Sequence, residues 1–217
     1  MAVRFFSYGA IKAFCQLGVM TFGIAAMPAH AADKLVVAFG DSLMAGYRLY
    51  PTESFPAQLE ATLKRSGQAV RVHNAGVSGD TSAQGRARLG WVLASLKVKP
   101  DLVVVELGAN DMLRAIDPAQ TQANLAAILG DLKKRGIKVI LAGMLASPNL
   151  GKAYQTKFNA LYPALARQYG VARYPFFMNG VTGNRALVQG DGLHPNARGV
   201  GVIVRGIAPL VSRMLKP

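Results

Sequence analysis

The sequence predicts an α/β fold built on a central parallel sheet of about five strands. Three observations carry this expectation. Short apolar runs occur without polar alternation, as in strands buried on both faces. Segments with helical periodicity lie between them. The two types alternate about five times along the chain, the pattern of a layered α/β structure with right-handed crossovers. Leu35–Gly40 is the first run, and Ala69–Val72 is the second. Leu102–Leu107, Ile137–Ala142 and a weaker Val171–Tyr174 complete the set. Residues 54–66 and 152–169 read as helices ended by Gly67 and Gly170. Residues 119–135 place Leu125, Ile128, Leu129 and Leu132 on one face. Asp117 serves there as an N-cap before Pro118, and Gly136 as the stop. The last segment carries an apolar stripe from Val200 to Met214, interrupted by Gly201, Gly206 and Pro209.

The first 31 residues are excluded from this fold. Arg4 and Lys12 make a cationic start, and Ala13–Met27 has only Gln16 and Thr21 as polar side chains. Ala29-His30-Ala31 then offers a small-residue cleavage site. This is the layout of a secretory signal peptide, too short for a comfortable membrane span. The expectation is a signal in 1–31, a single domain in 32–217, and a periplasmic or secreted product. Such a product keeps 186 residues, enough for one full core. Cys15, the only cysteine of the chain, leaves with the signal. That excludes a disulfide framework, a cysteine nucleophile and a thiolate metal site from the mature chain. A hydrophobic fraction of 51% excludes disorder.

In a parallel sheet, reactive groups gather at the carboxyl ends of the strands. Gly40-Asp41-Ser42-Leu43 follows the first run and puts a hydroxyl at a strand-to-helix turn, where Ser42 and its own N–H face one edge. A serine nucleophile needs a base. His30 lies in the signal, and His73 lies inside the second strand pattern as a structural residue. His194 lies in the loop Asp191-Gly192-Leu193-His194-Pro195. One turn of chain could hold the Asp191 carboxylate against its imidazole. Asp191 is also compatible with a helix cap, and Asp191 with His194 is compatible with a metal site. Gly79, after the second run, can present a bare backbone N–H, and Asn110, after the third, a neutral amide. Each feature alone is ordinary loop chemistry. Together they provide a nucleophile, a base with its carboxylate, and anion donors at one sheet edge.

Gly40-Asp41-Ser42-Leu43, Gly79, Gly108-Ala109-Asn110-Asp111 and Asp191-Gly192-Leu193-His194-Pro195 resemble the four sequence blocks of the SGNH (GDSL) hydrolases, in order and across essentially the whole mature chain. The stretches 79–82, 105–111 and 158–163 are similar to the branch with thioesterase, lysophospholipase and arylesterase activity. The resemblance implies a three-layer, flavodoxin-like α/β/α fold and a serine acyl-hydrolase. It implies Ser42 as nucleophile, His194 as base and Asp191 as third triad member. The N–H groups of Ser42 and Gly79 and the side chain of Asn110 become the oxyanion hole. Ala109 stands where close relatives often carry Gly, and Leu150 where many carry an aromatic residue.

The substrate expectation is a small acyl ester or thioester bound along an apolar groove. Met112, Leu113 and Ile116 are the candidates on one side, and Leu150 on the other. No cofactor or metal is implied. Two other readings remain: a carbohydrate O-acetyl esterase or acyltransferase on the same scaffold, and a non-catalytic binder of lipid or polyanion. Removing Arg4 and Lys12 lowers the net charge from +14 to +12. That charge suits contact with an anionic membrane surface. No nucleic-acid motif accompanies it, and a monomer is expected.

Overall fold

The computed structural model describes residues 1–3 and 33–216, and Ala31–Pro217 forms one compact unit. The expected signal segment therefore lies almost wholly outside the described residues. Five strands form one sheet: β1 (Lys34–Gly40), β2 (Val70–Gly76), β3 (Leu102–Glu106), β4 (Lys138–Ala142) and β5 (Ala172–Tyr174). Every pairing is parallel and the order is β2-β1-β3-β4-β5. This is the expected flavodoxin-like order. The chain reverses direction across the sheet between β1 and β3, so the ends of these two strands border a crevice.

The central strands follow from their sequences. Val36–Phe39 and Leu102–Val105 are buried on both faces, which explains their lack of alternation. One helical layer packs α2 (Phe55–Arg65) against α7 (Ala197–Leu215). Its stripe is Phe55, Leu59 and Leu63 against Val200, Ile203, Val204, Ile207 and Val211, all buried. The opposite layer holds α3 (Ser82–Ser95), α5 (Pro118–Lys134) and α6 (Lys152–Tyr169), with α5 between the other two. Two short helices, α1 (Ser42–Ala45) and α4 (Ala109–Leu113), follow β1 and β3 directly. The glycines of α7 serve packing: a Cβ at Gly206 would overlap the Tyr174 hydroxyl. Asp117 caps α5 through the Ala119 N–H, as expected, and Gly136 follows that helix with φ 61°.

Three elements differ from the sequence reading. β2 runs on to Gly76, and Arg71, His73 and Asn74 are exposed. It is an edge strand with a wet face, and His73, read as a structural residue of this strand, lies on that exposed face. Helix α3 lacked a clear apolar stripe, because Arg86, Arg88 and Trp91 interleave with Leu89 and Val92. Its start is nevertheless encoded. Thr81 and Gln84 form a reciprocal capping box, each side chain meeting the other's backbone N–H. Last, α1 and α4 are single turns, too short for a period to register.

Candidate active site

Strand β1 delivers Ser42 to the carboxyl edge. Asp41 caps the turn by accepting the Leu43 N–H at 3.0 Å, which fixes Ser42 at the first position of α1. His194 approaches from a loop 152 residues away, and its Nε2 lies 2.9 Å from Ser42 Oγ. His194 Nδ1 lies 2.8 Å from Asp191 Oδ2. The other carboxylate oxygen, Oδ1, accepts the N–H groups of Leu193 and His194 at 2.9 and 3.0 Å. Those backbone donors, with the imidazole, hold the Asp191 carboxyl down at about 2. One carboxylate thus shapes the turn and orients the ring. Of the alternatives open in sequence, a cap of the last helix is answered by Asn196, which accepts the Gly199 N–H. Among the described residues, no cluster of three or more His, Cys, Asp or Glu could hold a metal ion.

The loop carrying His194 is pinned at several points. The Gln189 N–H donates to the His194 carbonyl at 2.8 Å, and its amide donates to the carbonyls of Tyr47 and Pro195 at 2.8 and 3.0 Å. The Tyr47 ring packs against the imidazole with centroids 4.5 Å apart.

Two backbone donors stand free here. Among the described residues, the N–H of Ser42 and that of Gly79 donate to no protein group. Gly79 adopts φ 88°, a conformation that suits a residue without Cβ. Its carbonyl is held by Arg114 Nη2 at 2.9 Å. Asn110, from α4, directs its amide nitrogen at Asp41 Oδ2 (3.1 Å) and at the Asp80 carbonyl (3.0 Å). Asp111 beside it is buried and accepts from Ser82 and Thr121, joining the starts of α3 and α5 to α4.

Beneath these groups lies a polar floor. Asp41 is fully buried, and burial pushes its carboxyl up to about 6 against the donors that favour its ionised form. Glu106, the last residue of β3, is also fully buried, and neither of its oxygens has a hydrogen-bond partner. Burial first, and the adjacent Asp41 charge second, hold its carboxyl well above the ordinary value of 4.5.

A groove of about 570 Å³ opens beside Ser42, Asn110 and His194. Met112, Leu113 and Leu150 line it, as expected from sequence. Ile116 does not: it lies half-buried, and its carbonyl accepts the Tyr154 hydroxyl at 2.8 Å, tying this loop to α6. Sequence reasoning missed the rest of the wall. Met144, Leu145, Phe176, Met178 and Leu193 come from loops after β4 and β5 and before α7. No motif marks them, and their only signal is a position beyond a strand's carboxyl end.

Fold, switch-point crevice and Ser–His–Asp series together define a hydrolase of the serine type. Residues 38–202 match the GDSL-like lipase/acylhydrolase family, and the chain belongs to it. It is 40% identical over 186 residues to esterase TesA of Pseudomonas aeruginosa, covering 86% of this chain and 92% of that protein. It is 40% identical over 183 residues to the thioesterase 1/protease 1/lysophospholipase L1 of Escherichia coli K12, covering 84% and 83%. The crystal structure of AlinE4, an SGNH-hydrolase family esterase, superposes with a TM-score of 0.74 at 45% identity, over 87% of this chain and all of that one.

Proposed function

We propose that the protein hydrolyses carboxylic esters and thioesters through an acyl-enzyme on Ser42. The observation that carries this reading is the series Ser42 Oγ, His194 Nε2, His194 Nδ1 and Asp191 Oδ2, with separations of 2.9 and 2.8 Å. Ser42 Oγ attacks the acyl carbonyl as its proton passes to His194 Nε2. The carbonyl oxygen becomes an oxyanion, received by the free N–H groups of Ser42 and Gly79 and by the Asn110 amide. The Asn110 hydrogen now on the Asp80 carbonyl is the one shared with it. The leaving alcohol or thiol takes the proton from Nε2. Water then repeats the sequence on the acyl-enzyme and releases the acid. Asp191 stays ionised throughout and stabilises the imidazolium.

The groove favours acyl chains longer than acetyl, because its walls are aliphatic and thioether side chains. Relatives named as esterase, arylesterase, thioesterase and lysophospholipase support esters, aryl esters, thioesters and lysophospholipids as the substrate classes. Leu113, Leu145 and Leu193 are exposed at the groove's rim. With the basic surface, they support contact with an anionic lipid surface, tested by co-sedimentation with vesicles of differing anionic content. Export through the 1–31 segment is tested by the N-terminal sequence of secreted protein.

The deciding experiment runs fluorophosphonate labelling beside a panel of acyl-CoA, lysophospholipid, aryl ester and acetylated sugar, on wild type and Ser42→Ala. Labelling and turnover that vanish together in the variant support the reading. Wild-type turnover in Ser42→Ala, or a folded wild type that takes no label, refutes it. Turnover confined to the acetylated sugar favours the O-acetyl esterase.

A further inference from the structure

Glu106 has no place in the chemistry described so far, yet it lies at its centre. It ends β3, faces Gly40 of β1 in the sheet register, and is fully buried. Gly40 leaves the space it fills: a Cβ there would stand 2.7 Å from Glu106 Oε2 and would overlap the Glu106 carbonyl. A buried carboxylate with no donor is very costly, and a second carboxyl beside it compounds the cost. A buried neutral acid with one acceptor neighbour is far cheaper. The acceptor at hand is Asp41, the residue after Gly40, whose carboxylate holds the Asn110 amide and caps α1.

We infer that Glu106 is a positioning residue of the oxyanion hole: as a neutral acid it donates its proton to Asp41, and so holds the carboxylate that aims the Asn110 amide. This inference rests on the proposed acyl-hydrolase mechanism. Glu106 faces Gly40 in the register, Gly40 directly precedes Asp41, Asp41 holds the Asn110 amide, and Ser42 comes directly after Asp41. Burial raises both carboxyls, and the Asp41 charge holds that of Glu106 well above its ordinary value. The other titratable and charged groups nearby do not compete for that role. Tyr162 of α6 donates to the Leu107 carbonyl at 2.9 Å, and Arg88 of α3 donates to the Gly40 carbonyl and to Asp80. The His194 ring nitrogens face Ser42 and Asp191 instead.

Glu106→Gln keeps a donor toward Asp41, whereas Glu106→Leu removes it. Glu106→Leu is expected to lose about 10- to 100-fold in kcat with KM held, part of the ~10²–10³ that loss of a whole oxyanion donor costs. Its acid limb should move to higher pH, because Asp41 loses a donor that favours ionisation. Glu106→Gln should retain most of the wild-type kcat and the wild-type pH profile. A merely structural Glu106 would lower thermal stability without moving that profile. Wild-type kcat and profile in Glu106→Leu overturn the inference, as does a Glu106→Gln as impaired as Glu106→Leu. Should Glu106→Leu fail to fold, difference infrared spectra of wild type and Glu106→Gln at neutral pH decide. A protonated-carboxyl stretch present only in wild type supports the proposal, and its absence overturns it. That spectrum reports on Glu106 even if Ser42→Ala shows the acyl-enzyme mechanism to be wrong.

Discussion

The amide nitrogen of Asn110 stands 3.1 Å from a carboxylate oxygen of Asp41, the residue immediately before Ser42. Ser42 and the Asn110 amide are therefore set by one buried carboxylate, although they lie in α1 and α4, after β1 and β3. Asp41→Asn should lower kcat with little change in KM, because the donor is misaimed while the groove is untouched. Asn110→Ala should cost about 10²–10³ in kcat. The double variant should be little worse than Asn110→Ala alone, since both act through the same amide. Additive losses in a double-mutant cycle would separate the two residues.

The carboxyls predict opposite responses of stability to pH. Glu106 keeps in the folded state a proton that the unfolded chain releases near 4.5. Its contribution is full below that pH and declines as pH rises. Asp41 has the same sign between 3.8 and about 6. Glu106→Gln should therefore gain in melting temperature relative to wild type as pH increases from 4.5 through neutrality. A constant difference across that range would contradict the assignment.

Asp191 has the reverse sign. Its folded value of about 2 lies below the ordinary 3.8, so its contribution is present above 3.8 and lost as pH falls toward 2. Asp191→Asn should flatten the acid decline of stability in that window. It should also cut kcat sharply at neutral pH, because the imidazole loses its orienting acceptor. Denaturant melts at stepped pH and a neutral-pH assay read the two effects separately.

Gly79→Ala tests the backbone donor. At φ 88° a Cβ has room, its nearest neighbour being Arg114 Nη2 at 3.8 Å. The variant should fold at a cost of about 1–2 kcal/mol from the left-handed conformation alone. Any shift that relieves this strain moves the N–H, so kcat should fall more than KM changes. Unaltered kcat would remove Gly79 from the oxyanion hole.

A p-nitrophenyl ester series tests the groove. Each methylene that becomes buried should add about 0.8 kcal/mol, roughly fourfold in kcat/KM, until the cavity is filled. A maximum at acetate would contradict an acyl groove walled by Met112, Leu150, Phe176 and Met178.

What could be read from sequence follows a physical divide. Ser42, Asn110 and His194 were legible jointly rather than singly, because each follows a strand end or precedes the last helix and so falls at one sheet edge. The central strands were legible because burial on both faces leaves runs such as Val36–Phe39 unbroken. β2 was read short because an edge strand carries polar residues on its wet face. Met144, Phe176 and Met178 were illegible because a wall needs only bulk and apolarity, which many loops share. Glu106 stood within a recognised stretch, but burial without a partner is a property of three dimensions.

The base and its carboxylate ride on a single short loop, attached to the neighbourhood of the nucleophile mainly through Gln189 and the Tyr47 ring. Asp191, Gly192 and Leu193 are exposed, so this part of the loop is expected to open at lower cost than the sheet unravels. Gentle warming should then silence turnover while circular dichroism still reports a folded molecule, and cooling should restore it. The working temperature would then be set by a few contacts at the mouth of the site rather than by the durability of its centre.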